Sequence, residues 1–196
     1  MTTSEAKKGK GEGSGLKMTE RMLKSRTVLL SSDVSPSSAR RVIEQLLVLE
    51  ADDPDKPITL VVNSPGGDVH SGFAIYDVIR FIRPEVRIVC SGLAASIATV
   101  VLLAADKKNR LALPNCRLLL HQPLFHGEVF GPASDLEITA NEIIKTKEHI
   151  NVLIARETGQ SLEKVIKDTE RDFWLSAEEA RDYGLVSRVV ESRDNF

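Results

Sequence analysis

The chain has 196 residues, with 26 Lys plus Arg against 28 Asp plus Glu and a formal net charge of -2. That balance creates no global field toward nucleic acid or an anionic membrane, and the length suits one domain around one core. The longest apolar run, residues 93–105, is shorter than the roughly 20 residues of a membrane span, and the N-terminus lacks an apolar signal core. A soluble, unexported protein is expected. Cys90 and Cys116 both lie in apolar stretches and read as reduced, packed thiols, which suits a cytoplasmic location.

Residues 1–15 (MTTSEAKKGKGEGSG) are dominated by Lys, Gly, Glu and Ser, so burial cannot offset their ordering entropy. A disordered tail or leader is expected there, and one domain over residues 16–196. Beyond it, apolar segments at helical spacing alternate with short β-rich runs, the pattern of an α/β domain. Ser35-Pro36 supplies an N-cap and a first-turn proline, and Val42, Ile43, Leu46, Leu47 and Leu49 then repeat at helical spacing. Residues 58–62 (ITLVV) read as a strand stopped by the turn NSPGG, and a helix follows over about 71–82. Residues 86–90 are the next buried strand. Residues 94–105 (AASIATVVLLAA) are too alanine-rich for a strand and read as a helix apolar on all sides, hence buried. Residues 117–122 (RLLLHQ) form a third strand. Ser134-x-x-Glu137 has capping-box spacing and opens a long helix to about Arg156, while Ser176-x-x-Glu179 opens a short helix closed by Gly184. Residues 185–190 make a last strand.

Ser96 stands at the start of the buried helix, where unpaired N–H groups and the helix dipole favour developing negative charge, as a nucleophile requires. Taken alone, AASIA is equally a run of small packing residues. His121 sits where a strand leaves the core, a usual place for catalytic groups, although a lone strand histidine is more often structural. His70, His126 and His149 share no metal-ligand spacing with it, so no metal site is expected. Asp172 lies in TERDFW beside the apolar pair Phe173-Trp174, which could bury its carboxylate; by itself a solvated aspartate is the simpler reading. Gly66-Gly67 after a strand could free backbone N–H groups to face a ligand, or form an ordinary turn. Neither GxGxxG nor GxxxxGK[ST] occurs, so no nucleotide cofactor is expected.

The order and wording of NSPGGDVHSGFAIYDVIRFIRPEV, GLAASIA, LPNCRLLLHQP, ASDLEI and TERDFWLSAEEARDYGLV resemble the proteolytic subunit of Clp protease, the ClpP family, over about residues 23–190. The resemblance implies a ClpP/crotonase-like α/β fold of repeated strand-helix units with a protruding handle helix, the handle region spanning about 122–158. It implies a serine endopeptidase in which Ser96 of GxAAS attacks, His121 of HQP is the general base and Asp172 of TERD orients the imidazole. It further implies an oxyanion hole from the N–H groups of Gly67 and Ile97, no cofactor, and a ring-ring contact at Arg171. Implied partners are further copies in heptameric rings and a tetradecamer, an AAA+ unfoldase of the ClpX or ClpA/ClpC type, and unfolded protein substrates, with no role for nucleic acid or membrane.

Departures from the family wording carry expectations of their own. Residues 125–132 (FHGEVFGP) are bulky where the handle loop is usually glycine-rich, and Ile97 stands where Met is usual. Residues before Leu23 lack the usual axial-loop wording. The unfoldase docking pocket falls on Thr59, Val61, Phe81, Ser91, Leu111 and Leu113, with Thr59 and Val61 at positions that usually carry aromatic rings. A shallower, wetter pocket is expected, and with it reliance on a second, paralogous ClpP-type subunit. Two other readings stand beside this one: a catalytically weak structural ring subunit, and a crotonase-like acyl-CoA enzyme, which needs no Ser96, His121 and Asp172 together.

Overall fold

The structure, a computed structural model, describes residues 18–124 and 130–195. The tail expected over 1–15 lies outside the described residues, as do His126 and residues 125–129 of the departing handle segment. A short helix over residues 18–24 (α1) leads into β1 (Thr27–Leu30), α2 (Pro36–Asp52), β2 (Ile58–Ser64), α3 (Val69–Phe81), β3 (Val86–Ala95) and α4 (Ile97–Leu102). Then come β4 (Arg110–Ala112), β5 (Arg117–Leu120), α5 (Ala133–Thr158), α6 (Leu162–Thr169), β6 (Phe173–Ser176), α7 (Ala177–Tyr183) and β7 (Arg188–Val189).

The strands form one sheet in the order β1-β2-β3-β4-β7, parallel throughout, with β5 also parallel on β3 and β6 antiparallel on β5. The long strand β3 makes this branching possible. Its residues Ile88–Cys90 pair with β4 and its residues Leu93–Ala95 pair with β5. Between them, around Gly92, the ladder to β2 passes from Val62↔Cys90 to Ser64↔Ala94, so β3 carries extra residues there and turns toward β5. Helices α2 and α4 pack on one sheet face, with α3 against both, and bury Leu46, Leu60, Ile75, Ile88 and Leu102 completely. Alternation along β2 sends Ile58, Leu60 and Val62 into that core and leaves Thr59 and Val61 half-buried on the other face.

Several elements match the spacing that predicts them. Ser35 caps α2 through Ser38, with Pro36 in the first turn. Ser176 and Glu179 form a reciprocal capping box on α7, and Gly184 ends that helix in the left-handed conformation. Other boundaries move for physical reasons. The helix expected over 94–105 is only Ile97–Leu102, because Ala94 and Ala95 are held extended by Ser64 on one side and Leu118 and Leu119 on the other; strand pairing overrides alanine's helical preference. Ser134 does not cap α5: the helix enters through Pro132, whose φ of -56° already suits the first turn, and no side chain caps it. The strand expected over 185–190 shrinks to Arg188–Val189, and that over 117–122 ends at Leu120. The first part of α5 is largely exposed, and only from Ile150 onward does it bury Ile150, Leu153 and Ile154 against the body. Cys90 and Cys116 are free and buried side by side, where the Cys116 hydrogen bond and burial push the Cys90 thiol far up.

Candidate active site

Parallel strands converge their carboxyl ends on one edge of a sheet, where loops can carry side chains into a shared cleft. Here β2 ends in the turn with Gly66 and Gly67, β3 in Ser96 and β5 in His121. The antiparallel ladder of β5 and β6 pairs Leu120 with Phe173, so the next rung outward brings His121 opposite Asp172. His121 Nδ1 stands 3.4 Å from Asp172 Oδ1, longer than a closed N–H···O bond. With a carboxylate facing Nδ1, Nε2 is the nitrogen left to accept a proton. The imidazole is mostly buried, whereas the Asp172 side chain is 63% exposed. Phe173-Trp174 therefore does not bury this carboxylate: Phe173 turns to the opposite sheet face, as alternation requires, and Trp174 is itself half-exposed.

Ser96 takes φ 57° and ψ -128°, a left-handed conformation strained for any residue but glycine. Several bonds hold it there. Its N–H donates to Leu119 O at 2.9 Å, and the Thr99 hydroxyl donates to Ala94 O at 2.9 Å and lies 3.1 Å from Leu119 O. The Ser96 side chain makes no cap bond to α4, and among the described residues its Oγ has no hydrogen bond at all, to His121 or elsewhere. A hydroxyl on a strained turn, unspent on its own helix, is disposed as a nucleophile.

The Gly66-Gly67 turn packs directly on this serine. A Cβ on Gly66, at φ 94°, would stand 2.7 Å from Ser96 Cβ, and one on Gly67, at φ 145°, would stand 2.2 Å from Val34 O. Val34 clamps the turn from outside, donating its N–H to Gly66 O and accepting from the Asp68 N–H, both at 2.8 Å. The Gly67 N–H enters neither bond. The Ile97 N–H belongs to the first residue of α4 and has no partner within the helix. Two donors thus stand one residue from the contact of Gly66 with Ser96, on separate elements.

A cleft of about 430 Å³ runs beside the pair, lined by His121, Gln122, Leu124, Glu170, Arg171 and Asp172. Gln122 fixes its wall, donating its backbone N–H to Thr169 O at 2.8 Å and its side chain to Glu170 O at 3.0 Å. Thr169 is itself buried, its hydroxyl donating to Asn151 of α5 at 2.9 Å. Gln122, Thr169, Thr99 and Val34 were not read from the sequence as site residues. Gln122 had a signal in HQP, but Val34 had none, since its role exists only once β1 and β2 have paired. Arg171 is exposed on the cleft, between α6 and β6.

The six residues expected to form a docking pocket are only partly gathered. Thr59, Val61 and Leu113 line a cavity of about 480 Å³ on the sheet face away from the helices, with Thr27, Val89 and Val190 among its other walls. Leu111 is 1% exposed, packed with Val89 and Val190 beneath that surface. Phe81, 82% exposed at the end of α3, and Ser91, in the irregular stretch of β3, do not line it. Of the six, Thr59, Val61 and Leu113 thus line this cavity, together with residues 190–193 that follow β7, and Val190 packs with Leu111.

His149 packs its ring edge on Phe73 at 5.1 Å, a helix-packing contact. Among the described residues, no group of three or more His, Cys, Asp or Glu could hold a metal ion, and no helix is long and apolar enough to cross a membrane. Compared with known protein families, residues 9–193 of the chain match the family described as Clp protease.

Proposed function

The chain belongs to the Clp protease family and is a ClpP-type peptidase, and from that premise we propose that it cuts peptide bonds as a serine endopeptidase through Ser96, His121 and Asp172. The observation that carries this reading is the single edge on which the strained Ser96 turn and the facing pair His121 and Asp172 meet. In the reaction, Ser96 Oγ attacks the scissile carbonyl carbon as its proton passes to His121 Nε2. Asp172 keeps Nδ1 protonated and stabilises the imidazolium. The tetrahedral oxyanion is received by the N–H groups of Gly67 and Ile97, where losing one donor commonly costs about 3 kcal/mol of barrier. His121 then returns the proton to the leaving amine, and water, deprotonated by the same imidazole, hydrolyses the acyl-enzyme.

Members of the family generally form oligomeric rings and work with AAA+ unfoldases. For this chain we propose heptameric rings in a tetradecamer, with Arg171 at the ring-ring contact, in the cytoplasm, with unfolded proteins as substrate. A ClpX-, ClpA- or ClpC-type unfoldase would dock on the cavity at Thr59, Val61 and Leu113. The hydroxyls of Thr27 and Thr59 and the absence of a ring at either β2 position support weak docking and a paralogous partner subunit. One observation favours the alternative of a catalytically weak ring subunit: the 3.4 Å separation of His121 and Asp172. Assembly separates the two readings. The particle is purified from its own cells, and degradation of an unfolded protein by wild type and by Ser96→Ala, in the presence of the native unfoldase, is compared. Loss of this subunit's share in the variant supports the peptidase; equal degradation by both supports the structural subunit.

A further inference from the structure

Asp172 is held by little of its own. Its carboxylate is largely in solvent, its ring contact to His121 is loose, and it stands just outside a four-residue strand at the sheet's edge. Its backbone is tied before it by the bonds of Gln122 to Thr169 and Glu170, and after it by Phe173. Phe173, the first residue of β6, pairs with Leu120 and turns its ring to the face opposite His121 and Asp172.

That ring is half-buried. Tyr183 of α7 lies against it with centroids 5.6 Å apart at 53°. Lys164 of α6 places its ammonium 5.7 Å from the Phe173 centroid and 4.6 Å from the Tyr183 centroid. The same ammonium meets Asp168 Oδ2 at 2.5 Å, and the Tyr183 hydroxyl donates to that oxygen at 2.9 Å. Cation, carboxylate and the two rings form one cluster, with Asp168 and Tyr183 only slightly exposed and the Lys164 side chain half-exposed.

Resting on the serine-peptidase reading, we propose that Lys164 is a positioning residue for Asp172, acting through the Phe173 ring. The cation holds the two rings together and thereby fixes the start of β6, where the carboxylate must stand to face His121. It does not touch His121. Among the described residues, the charged groups that share the cleft with that imidazole are Asp172, Glu170 and Arg171. Without the cation, Phe173 loosens, Asp172 drifts from Nδ1, and the imidazolium loses its counter-charge.

The test is the rate at which a fluorophosphonate phosphonylates Ser96, measured against pH in the assembled particle. Lys164→Met, which keeps the apolar stem, lowers the rate about tenfold, as misplacement near the chemistry does. It also moves the acid-side midpoint of the profile, which a loss of stability alone would leave in place. Lys164→Arg restores both rate and midpoint. In a Phe173→Leu background, Lys164→Met has no further effect, since its route is already cut. A Lys164→Met protein whose melting temperature falls while its midpoint stays put overturns the proposal, as does full additivity with Phe173→Leu. A wild-type particle that never labels Ser96 overturns the peptidase reading first; an active wild type with an unmoved profile in the variant overturns the Lys164 assignment alone.

Discussion

Gly66 and Ser96 approach so closely that a methyl group on the glycine would meet Ser96 Cβ at 2.7 Å and Ala95 O at 2.6 Å. The far atoms belong to backbone and to the strained serine, so neither can swing aside. Gly66→Ala must therefore shift the turn or the nucleophile, and also force alanine to φ 94° at about 1–2 kcal/mol. We predict that Gly66→Ala still folds but labels at Ser96 about 10²-fold more slowly. Wild-type labelling in a folded Gly66→Ala particle would show that this contact does not set the serine.

Arg110 predicts a stability effect remote from the cleft. Its guanidinium is 1% exposed and donates to Leu103 O and Ala105 O beyond α4, and to both the carbonyl and the carboxylate of Glu157 at the end of α5. Burial pushes the Glu157 carboxyl up, but the bonds and charges of Arg110 and Arg156 outweigh it and hold it below 4.5, the ordinary glutamate value. A carboxyl depressed by folding stabilises fully above its unfolded value, and that contribution drains away as pH falls through the folded value. Denaturation midpoints of wild type should fall more steeply than those of Glu157→Gln as pH drops below 4.5. Parallel curves would contradict this. At neutral pH Arg110→Met, which takes its partner from the carbonyls of Leu103 and Ala105 and leaves the Glu157 carboxylate to Arg156 alone, should cost about 3 kcal/mol.

Arg171 shares the cleft with His121 and Asp172, so a charge contact made there by a second ring would act on the triad directly. Arg171→Ala is predicted to shift the particle toward single rings and to lower Ser96 labelling in step. Native mass spectrometry reads the first effect and probe kinetics the second. An unchanged mass distribution with normal labelling would remove Arg171 from the contact.

The docking cavity predicts a gain. Thr59 and Val61 project from β2 into its wall, and an aromatic ring there would bury apolar area that a threonine cannot. Thr59→Tyr with Val61→Tyr should tighten binding of the unfoldase from the same cells by about tenfold per ring, the equivalent of about 1.4 kcal/mol each. Surface-plasmon titration of the purified unfoldase on immobilised wild-type and doubly substituted particles gives the comparison. Unchanged or weaker binding would contradict the assignment of this cavity.

Much of this fold could be read from local spacing, because caps and strand runs are local facts. Ser35-Pro36, the Ser176 and Glu179 box and the run 58–62 all form where the chain says they should. The failures share a cause: a distant partner decides. Ala94 and Ala95 look helical until β2 and β5 pair with them, and FWLS, read only for its apolar pair, becomes a strand once β5 lies beside it. The positions proposed as the triad stand out in the sequence through GxAAS, HQP and TERD. Their state does not: neither the exposed Asp172 carboxylate nor the Lys164 cluster behind it leaves a trace in spacing. That Leu111 lies buried with Val89 and Val190 is equally illegible in spacing, because the return of Val190 toward it is a tertiary event.

The central claim, that Ser96 is a nucleophile activated by His121, is tested most directly by covalent trapping. Wild type, Ser96→Ala and His121→Ala are each treated with a β-lactone in the assembled state, digested, and the acylated peptide is sequenced by mass spectrometry. The account predicts one adduct, on Ser96, in wild type, none there in Ser96→Ala, and loss by at least about 10³-fold in His121→Ala, since triad members act as a unit. An assembled wild type that takes no adduct on Ser96, or a His121→Ala that labels as fast as wild type, would contradict it.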